Sequence, residues 1–244
     1  MITLLLPLAF AGTEPGIQPD LANPRVKLET QLDILEGFLN NSMPDQALAM
    51  VGEMHKQGVR SVELDVLEAR AMHLEGLDHD AERLLRKVTR SSPGHATAWA
   101  QLGVVLADGG QLAEAASALK KAARLAPRDA DVLNNYGFVL LASGQSEPAL
   151  EAFRQALAID PASERTRNNL GFALVRLDRY DEAMETFRAA ARSEADARYN
   201  FGAACEQKGD RASAIVAYET AIRFQPGHPG AVPALSRILL EPSP

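Results

Sequence analysis

The chain has little of what marks a disulfide-stapled, aromatic-rich or nucleic-acid-binding protein. Among its 244 residues Cys205 is the only cysteine, which excludes an internal disulfide and a thiolate metal cluster. Aromatic residues make up 5%, too few for the cores of most β-sandwiches, whereas alanine is abundant and suits closely packed helices. Positive charge is outweighed: 25 Lys and Arg stand against 32 Asp and Glu, a formal net charge of −7. That balance argues against a nucleic-acid partner or an anionic lipid surface. No stretch approaches the roughly 20 apolar residues needed to span a bilayer. What remains, 46% hydrophobic and 23% charged residues, is ordinary for a globular chain.

The N-terminus differs from the rest. Ile2 to Phe10 is almost wholly apolar, and Ala9-Phe10-Ala11 fits the small-x-small pattern before a signal-peptidase cut. Residues 1–11 are therefore expected to be a cleaved export signal and 12–27, rich in Gly and Pro, a linker. Export to the periplasm is the expectation, with a frayed terminus on a cytoplasmic protein as its rival.

Beyond residue 27 the chain repeats itself. Ala47, Ala81, Ala115, Ala149 and Ala183 recur at intervals of 34 residues, and Ala214 follows 31 later. About a dozen residues ahead of most of them stands another small residue, at Ala69, Gly103, Gly137, Gly171 and Gly202. Four residues after each alanine comes a larger one: Val51, Leu85, Leu119, Phe153, Phe187 and Tyr218. Pro93, Pro127, Pro161 and Pro226 close four of the units. A period of this length is the mark of a solenoid. The segments NNYGFVLLASGQSEPALEAFRQALAIDP (134–161) and YNFGAACEQKGDRASAIVAYETAIRFQP (199–226) carry the pattern most fully, and the arrangement resembles the tetratricopeptide repeat (TPR) family. The resemblance implies an all-α superhelix of six helical hairpins, at 28–61, 62–95, 96–129, 130–163, 164–194 and 195–228. A helix over 229–241 would cap the open end.

Each unit then contributes two antiparallel helices, and the small residues let them approach closely. Gly109, Gly144 and Gly209 are expected in the turns between them, where a positive φ is needed. The first unit departs from the pattern, with Leu35 in place of the small residue. The fifth lacks its proline and about three residues, so a tighter turn is expected near Ser193–Ala195.

No catalytic constellation accompanies the repeat. The five histidines, His55, His73, His79, His95 and His228, are scattered, and HExxH, GxSxG, Walker A and GxGxxG patterns are absent. His95 and His228 occupy matched turns, SPGH and QPGH. Cys205 is expected to be a buried, inert packing residue. The expectation is a non-enzymatic chain with no cofactor and no metal site. Cations such as Arg83, Arg86, Lys87 and Arg90 cluster toward the ends of second helices, where they complement the helix dipole. No aromatic residues interleave with them as single-strand binding would require.

What the pattern leaves for function is the inner wall of the superhelix. Asn135, Asn169 and Asn200 recur two residues before successive glycines, with Asn134 and Asn168 beside the first two. A carboxamide can both donate to and accept from a guest backbone, and the resemblance implies such a role. The same groups could instead bridge neighbouring helices. Val104, Phe138, Leu141, Phe172 and Val175 recur at two further positions expected to face the groove as an apolar patch. Carboxylate-clamp members of the family need lysines where this chain has Asp131 and Asp196, with Arg165 the one suitable cation. Recognition of chaperone tails is therefore not expected. The expected partner is an extended or helical peptide segment of another protein, in assembly of an envelope complex, the rival being a cytosolic co-chaperone or adaptor.

Overall fold

A computed structural model describes residues 24–240, with side chains from Lys27 onward. The expected export signal and most of the expected linker lie outside the described residues. Thirteen helices and no strand occur among those described. They form six antiparallel hairpins: α1 (Pro24–Asn40) with α2 (Pro44–Lys56), α3 (Val62–Leu74) with α4 (Asp78–Ser91), and α5 (Ala96–Asp108) with α6 (Leu112–Leu125). The series continues with α7 (Ala130–Ala142) and α8 (Ser146–Ile159), α9 (Glu164–Arg176) and α10 (Tyr180–Ala190), then α11 (Glu194–Lys208) and α12 (Arg211–Phe224). A thirteenth helix, α13 (Ala231–Leu240), closes the array. Each hairpin packs on the next, and odd-numbered helices also touch one another from α1 to α11. None of the helices is long and apolar enough to cross a membrane.

Punctuation at the helix ends repeats as regularly as the core. First helices open on a side chain that accepts a hydrogen bond from the third helical N–H: Ser61 from Leu64 N, His95 from Ala98 N, Asp129 from Val132 N, Ser163 from Thr166 N and Ser193 from Asp196 N. Such caps satisfy an N–H that the helix itself leaves unpaired. At the other end the chain turns through a left-handed residue and closes with a six-to-one hydrogen bond, as in Gln111 N to Leu106 O (2.8 Å) and Arg179 N to Leu174 O (2.9 Å). That left-handed position falls on Ser42, Gly76, Gly110, Gly144, Asp178 and Gly209. The expectation for Gly109 is thus displaced by one residue: Gly109 has φ −75° and caps α5, and Gly110 takes φ +74°. Two adjacent glycines left the sequence with no means of choosing.

Ser42 (φ +55°) and Asp178 (φ +62°) hold this conformation with a side chain present. A left-handed non-glycine residue costs about 1–2 kcal/mol, part of which glycine returns as chain entropy. Asp178 is also ion-paired with Lys208, whereas Ser42 is simply exposed. Ser42→Gly should therefore raise stability in urea by about 0.5–1 kcal/mol. An unchanged or lower midpoint would refute the strain.

Inside each hairpin the small residue of the first helix lies under the large residue of the second. A Cβ built on Gly103 would fall 2.5 Å from Leu119 Cγ, one on Gly137 2.7 Å from Phe153 Cε1, one on Gly171 2.5 Å from Phe187 Cε1, and one on Gly202 2.7 Å from Tyr218 Cδ1. Down the array the matched positions read Leu35 with Val51, Ala69 with Leu85, Gly with Leu, then Gly with Phe or Tyr. As the first member shrinks the second grows, which keeps the volume between the helices filled. The departure at Leu35 is therefore a packing trade within one wholly buried pair. The repeated Ala81, Ala115, Ala149, Ala183 and Ala214 have no exposed surface.

In the fifth unit α10 has 11 residues where α8 has 14, so the shortening removes the last turn of the second helix. Ser193 caps α11 three residues after α10 ends. At the far end α13 is held by side chains from α11: His228 Nε2 lies 3.2 Å from Asp196 Oδ1, and Arg237 pairs with Glu206 at 2.7 Å.

Candidate peptide-binding groove

The inner wall is built from α5, α7, α9 and α11, each presenting a narrow stripe. Along α9 that stripe is Arg165, Asn169, Phe172 and Arg176, and along α7 it is Asp131, Asn135, Phe138 and Ala142. The spacing of four, three and four keeps one face of a helix with about 3.6 residues per turn in a single line. On α11 the corresponding residues include Asn200 and Gln207.

Two adjoining cavities lie on this wall. The first, about 300 Å³, is bordered by Val104, Ala107 and Asp108 of α5, by Asn134, Asn135 and Phe138 of α7, and by Arg165 and Asn169 of α9. The second, about 170 Å³, is formed by Phe138, Leu141 and Ala142 with Asn169, Phe172 and Arg176, and Gln207 of α11 reaches its edge. Phe138 and Asn169 belong to both. Phe138 is 52% exposed and so stands as an apolar post between them, while Phe172 is half-buried and braced edge-on by Phe187, ring centres 5.8 Å apart.

The asparagines bridge helices at two points, with one further bond inside α7. Asn169 Nδ2 donates to Asn134 Oδ1 (2.9 Å), Asn134 Nδ2 to Asn135 Oδ1 (3.3 Å), and Asn200 Nδ2 to Asn168 Oδ1 (3.1 Å). Asn134 is 2% exposed and consumed in this network, and Asn168 and Asn200 hold α9 to α11 outside either cavity. Asn135 Nδ2 and Asn169 Oδ1 are left with no partner among the described residues, at the first cavity's border. Of the two alternatives read from the sequence, the bridging role is seen, and each of these two side chains keeps one amide atom unpaired.

Two apolar expectations need correction. Val175 is fully buried and packs in the interior with Leu174 and Phe187. At about 100° per residue it sits about 120° around the helix from Asn169, whereas Arg176 sits within about 20° of it. The groove stripe therefore continues through Arg176, a residue that sequence reasoning passed over though the helical period was enough to find it. Leu141, one position short of Ala142 by the same count, is 8% exposed and contributes only an edge to the second cavity.

Charge on the wall is unequal. Arg165 is ion-paired with Asp131 of the neighbouring unit, and Asp108 lies 3.0 Å from His73 Nε2. His73 Nδ1 meets Asp78 at 2.6 Å, so this histidine staples α3, α4 and α5 together. Arg176 has no acceptor among the described residues, and its Nε is buried.

The Cys205 thiol is buried and pushed up to about 12 by desolvation, far from a nucleophile's range. One set of potential metal ligands occurs among the described residues, His55, Asp65 and Glu68, with ligand atoms within 4.8 Å of one another. Arg60 Nη1 lies 2.9 Å from His55 Nδ1 and can only donate, which puts the ring proton on Nε2, facing Glu68 Oε2 at 3.0 Å. Both ring nitrogens are thereby engaged, and the His55–Glu68 contact ties α2 to α3.

The model of the cytochrome c-type biogenesis protein H TPR domain matches residues 67–199, more than half of the chain, and a tetratricopeptide repeat model matches 195–228. No curated protein matches significantly. Among solved structures, YrrB, a TPR protein with an unusual peptide-binding site, superposes with a TM-score of 0.59 at 24% identity, covering 76% of this chain and 97% of that one. MamA from Desulfovibrio magneticus RS-1 gives 0.56 at 26% identity over 67% and 93% of the two chains. PilF of Pseudomonas aeruginosa gives 0.65 at 18% identity over 86% and 96%. The shared architecture is that of a protein–protein interaction scaffold. The chain belongs to the tetratricopeptide repeat proteins, in the family of the cytochrome c-type biogenesis protein H TPR domain.

Proposed function

We propose that the chain is a non-enzymatic scaffold that seats an extended or helical peptide segment of a partner protein along the wall formed by α5, α7, α9 and α11. Val104, Asn135, Phe138, Asn169 and Phe172 are the contacts. The observation that carries the reading is Phe138: an aromatic ring half open to water between two cavities, where burying it against a guest releases apolar surface. The spare carboxamide atoms of Asn135 and Asn169 beside it would take backbone groups, so anchoring depends on the guest's apolar residue and register on its main chain. The same wall presents no nucleophile beside a base, which supports a binding role over a catalytic one.

We place this activity in assembly of an envelope complex. The family model carries the name of a cytochrome c-type biogenesis protein, and residues 1–11 read as an export signal. Mass determination of the mature N-terminus decides the compartment: cleavage after Ala11 supports export, and an intact Met1 in the mature chain favours the cytosolic adaptor.

Phe138→Asp tests the groove. The ring is exposed and its loss should leave helicity and melting unchanged, while capture of partners by the full chain, compared by quantitative mass spectrometry, falls at least about tenfold for the loss of one apolar anchor. Capture undiminished by this substitution ends the groove reading.

A further inference from the structure

Arg176 is the last residue of α9, and a cation there complements the helix dipole. A dipole contact is met equally well by a solvated side chain. Here the side chain is half-buried and borders the second cavity with Phe138, Phe172 and Gln207; its Nε is shut off from water, and none of its donors has an acceptor among the described residues. Neighbouring cations are provided for: Arg165 has Asp131, Lys208 has Asp178, and Arg179 has Glu182. Buried donors without acceptors are few in folded proteins, and the terminal nitrogens of the same guanidinium, unpartnered and not buried, are left for an acceptor that arrives from outside.

We propose that Arg176 is the specificity residue of the groove, and that it pairs with the side-chain carboxylate of an aspartate or glutamate in the guest. That acidic residue stands at a fixed short spacing from the apolar residue seated on Phe138. The inference rests on the groove reading above and adds the guest's chemistry to it. A planar fork of donors matches a carboxylate in two-point contact, and the apolar walls lower the local dielectric, which strengthens the pair. The other polar groups bordering this cavity, Asn169 and Gln207, are neutral and do not compete for the acid. The net charge of −7 disfavours a long acidic run, so the guest carries one carboxylate among apolar neighbours. The groove is part of an open array with α11 beyond it, so the chain of the guest continues past Arg176. A side chain, not a C-terminus, supplies the charge.

The probe is a library of random twelve-residue peptides displayed as internal fusions, which have no free C-terminal carboxylate. It is selected against the full chain and against Arg176→Glu, Arg176→Gln and Phe138→Asp. The expected result is enrichment of Asp or Glu at one spacing from an aliphatic or aromatic residue. Arg176→Glu should replace the acid by Lys or Arg at that spacing and leave the apolar preference in place. A selected peptide should bind Arg176→Gln about ten- to a hundredfold more weakly, the worth of one charge-assisted contact. The melting temperature of Arg176→Gln should hold, since Arg176 has no internal partner to lose. Three results overturn the assignment while leaving the groove standing: an acid preference unchanged in Arg176→Glu, no enrichment of acids among these internally fused peptides, or a fall in melting for Arg176→Gln. Selection unchanged by Phe138→Asp instead removes the groove reading, and this inference with it.

Discussion

Gly171→Ala should destabilise the protein by about 2 kcal/mol, although alanine is the better helix former by about 1 kcal/mol. The reason is the ring beneath it. A methyl group at Gly171 would lie 2.5 Å from both Cε1 and Cζ of Phe187 and 2.9 Å from Cδ1. Phe187 has no exposed surface, and Phe172 and Phe201 press its ring edge-on with centres 5.8 and 6.5 Å away. The ring cannot step aside without moving two others, so the overpacking falls near the upper end of about 1–3 kcal/mol and outweighs the gain in helix propensity. The chain already contains the compensated version: Ala69 stands opposite Leu85 in the second unit, both fully buried. Phe187→Leu combined with Gly171→Ala should therefore cost at least about 1 kcal/mol less than the two single changes added together. Urea unfolding of the four proteins measures this. Strict additivity, or a Gly171→Ala protein as stable as the parent, would show that the glycine is not there to admit the ring.

His228→Ala should release the C-terminal cap at a cost of about 2–4 kcal/mol, confined to the last unit. His228 is 3% exposed. Its Nδ1 accepts from Gly230 N (3.2 Å) and Ala231 N (3.0 Å) at the start of α13, which leaves the proton on Nε2 to donate to Asp196. Its ring lies 5.2 Å from that of Tyr199, which in turn covers Gly230. Alanine removes the helix cap, takes one of the two hydrogen bonds from the Asp196 carboxylate and opens a hole beside Tyr199. In a solenoid each unit leans only on its neighbours, so hydrogen exchange should accelerate in α13 and α12 while α3 to α6 keep their protection. His95 performs the same capping of α5, but it is only half-buried and its Nε2 is 3.8 Å from Glu63. His95→Ala should cost about 1 kcal/mol, the loss of a cap alone. Equal losses at the two sites would contradict the role given to Asp196.

The same contact predicts an acid limb. Ser193, and then His228, hold the Asp196 carboxyl below the usual carboxylate range. A group whose pKa is lower folded than unfolded contributes stability that is complete above its unfolded value, about 4, and is lost as pH falls through the folded one. The C-terminal unit should thus loosen below about pH 4, and His228→Ala should show a smaller change over that interval. A pH dependence identical in the two proteins would remove this linkage.

How far the sequence reaches can be judged residue by residue. The spacing of Ala81, Ala115, Ala149 and Ala183 was enough for the solenoid, because in such an array every contact is with the same unit or the next and the pattern of one unit predicts them all. The caps are legible as residues but not as roles: in the sequence His95 and His228 are plain turn residues, and only the fold puts their Nδ1 atoms at helix starts. Leu35 looked like a broken repeat because its compensation, a smaller Val51, lies on the other helix. Recurrence between units points to Val175 as a groove residue, whereas rotation about α9 selects Arg176.

By itself, then, the amino-acid sequence determined the helical hairpins, their number and the close approach at the small residues, all of which follow from local periodicity. Tertiary structure alone decided which amide atoms of Asn135 and Asn169 are spent within the asparagine network and which remain, that Phe138 stands open between two cavities, and that Arg176 has no acid beside it. Those are facts about neighbours on other helices, about 30 residues away along the chain. A pattern that repeats in every unit does not reveal the neighbours that differ from one unit to the next.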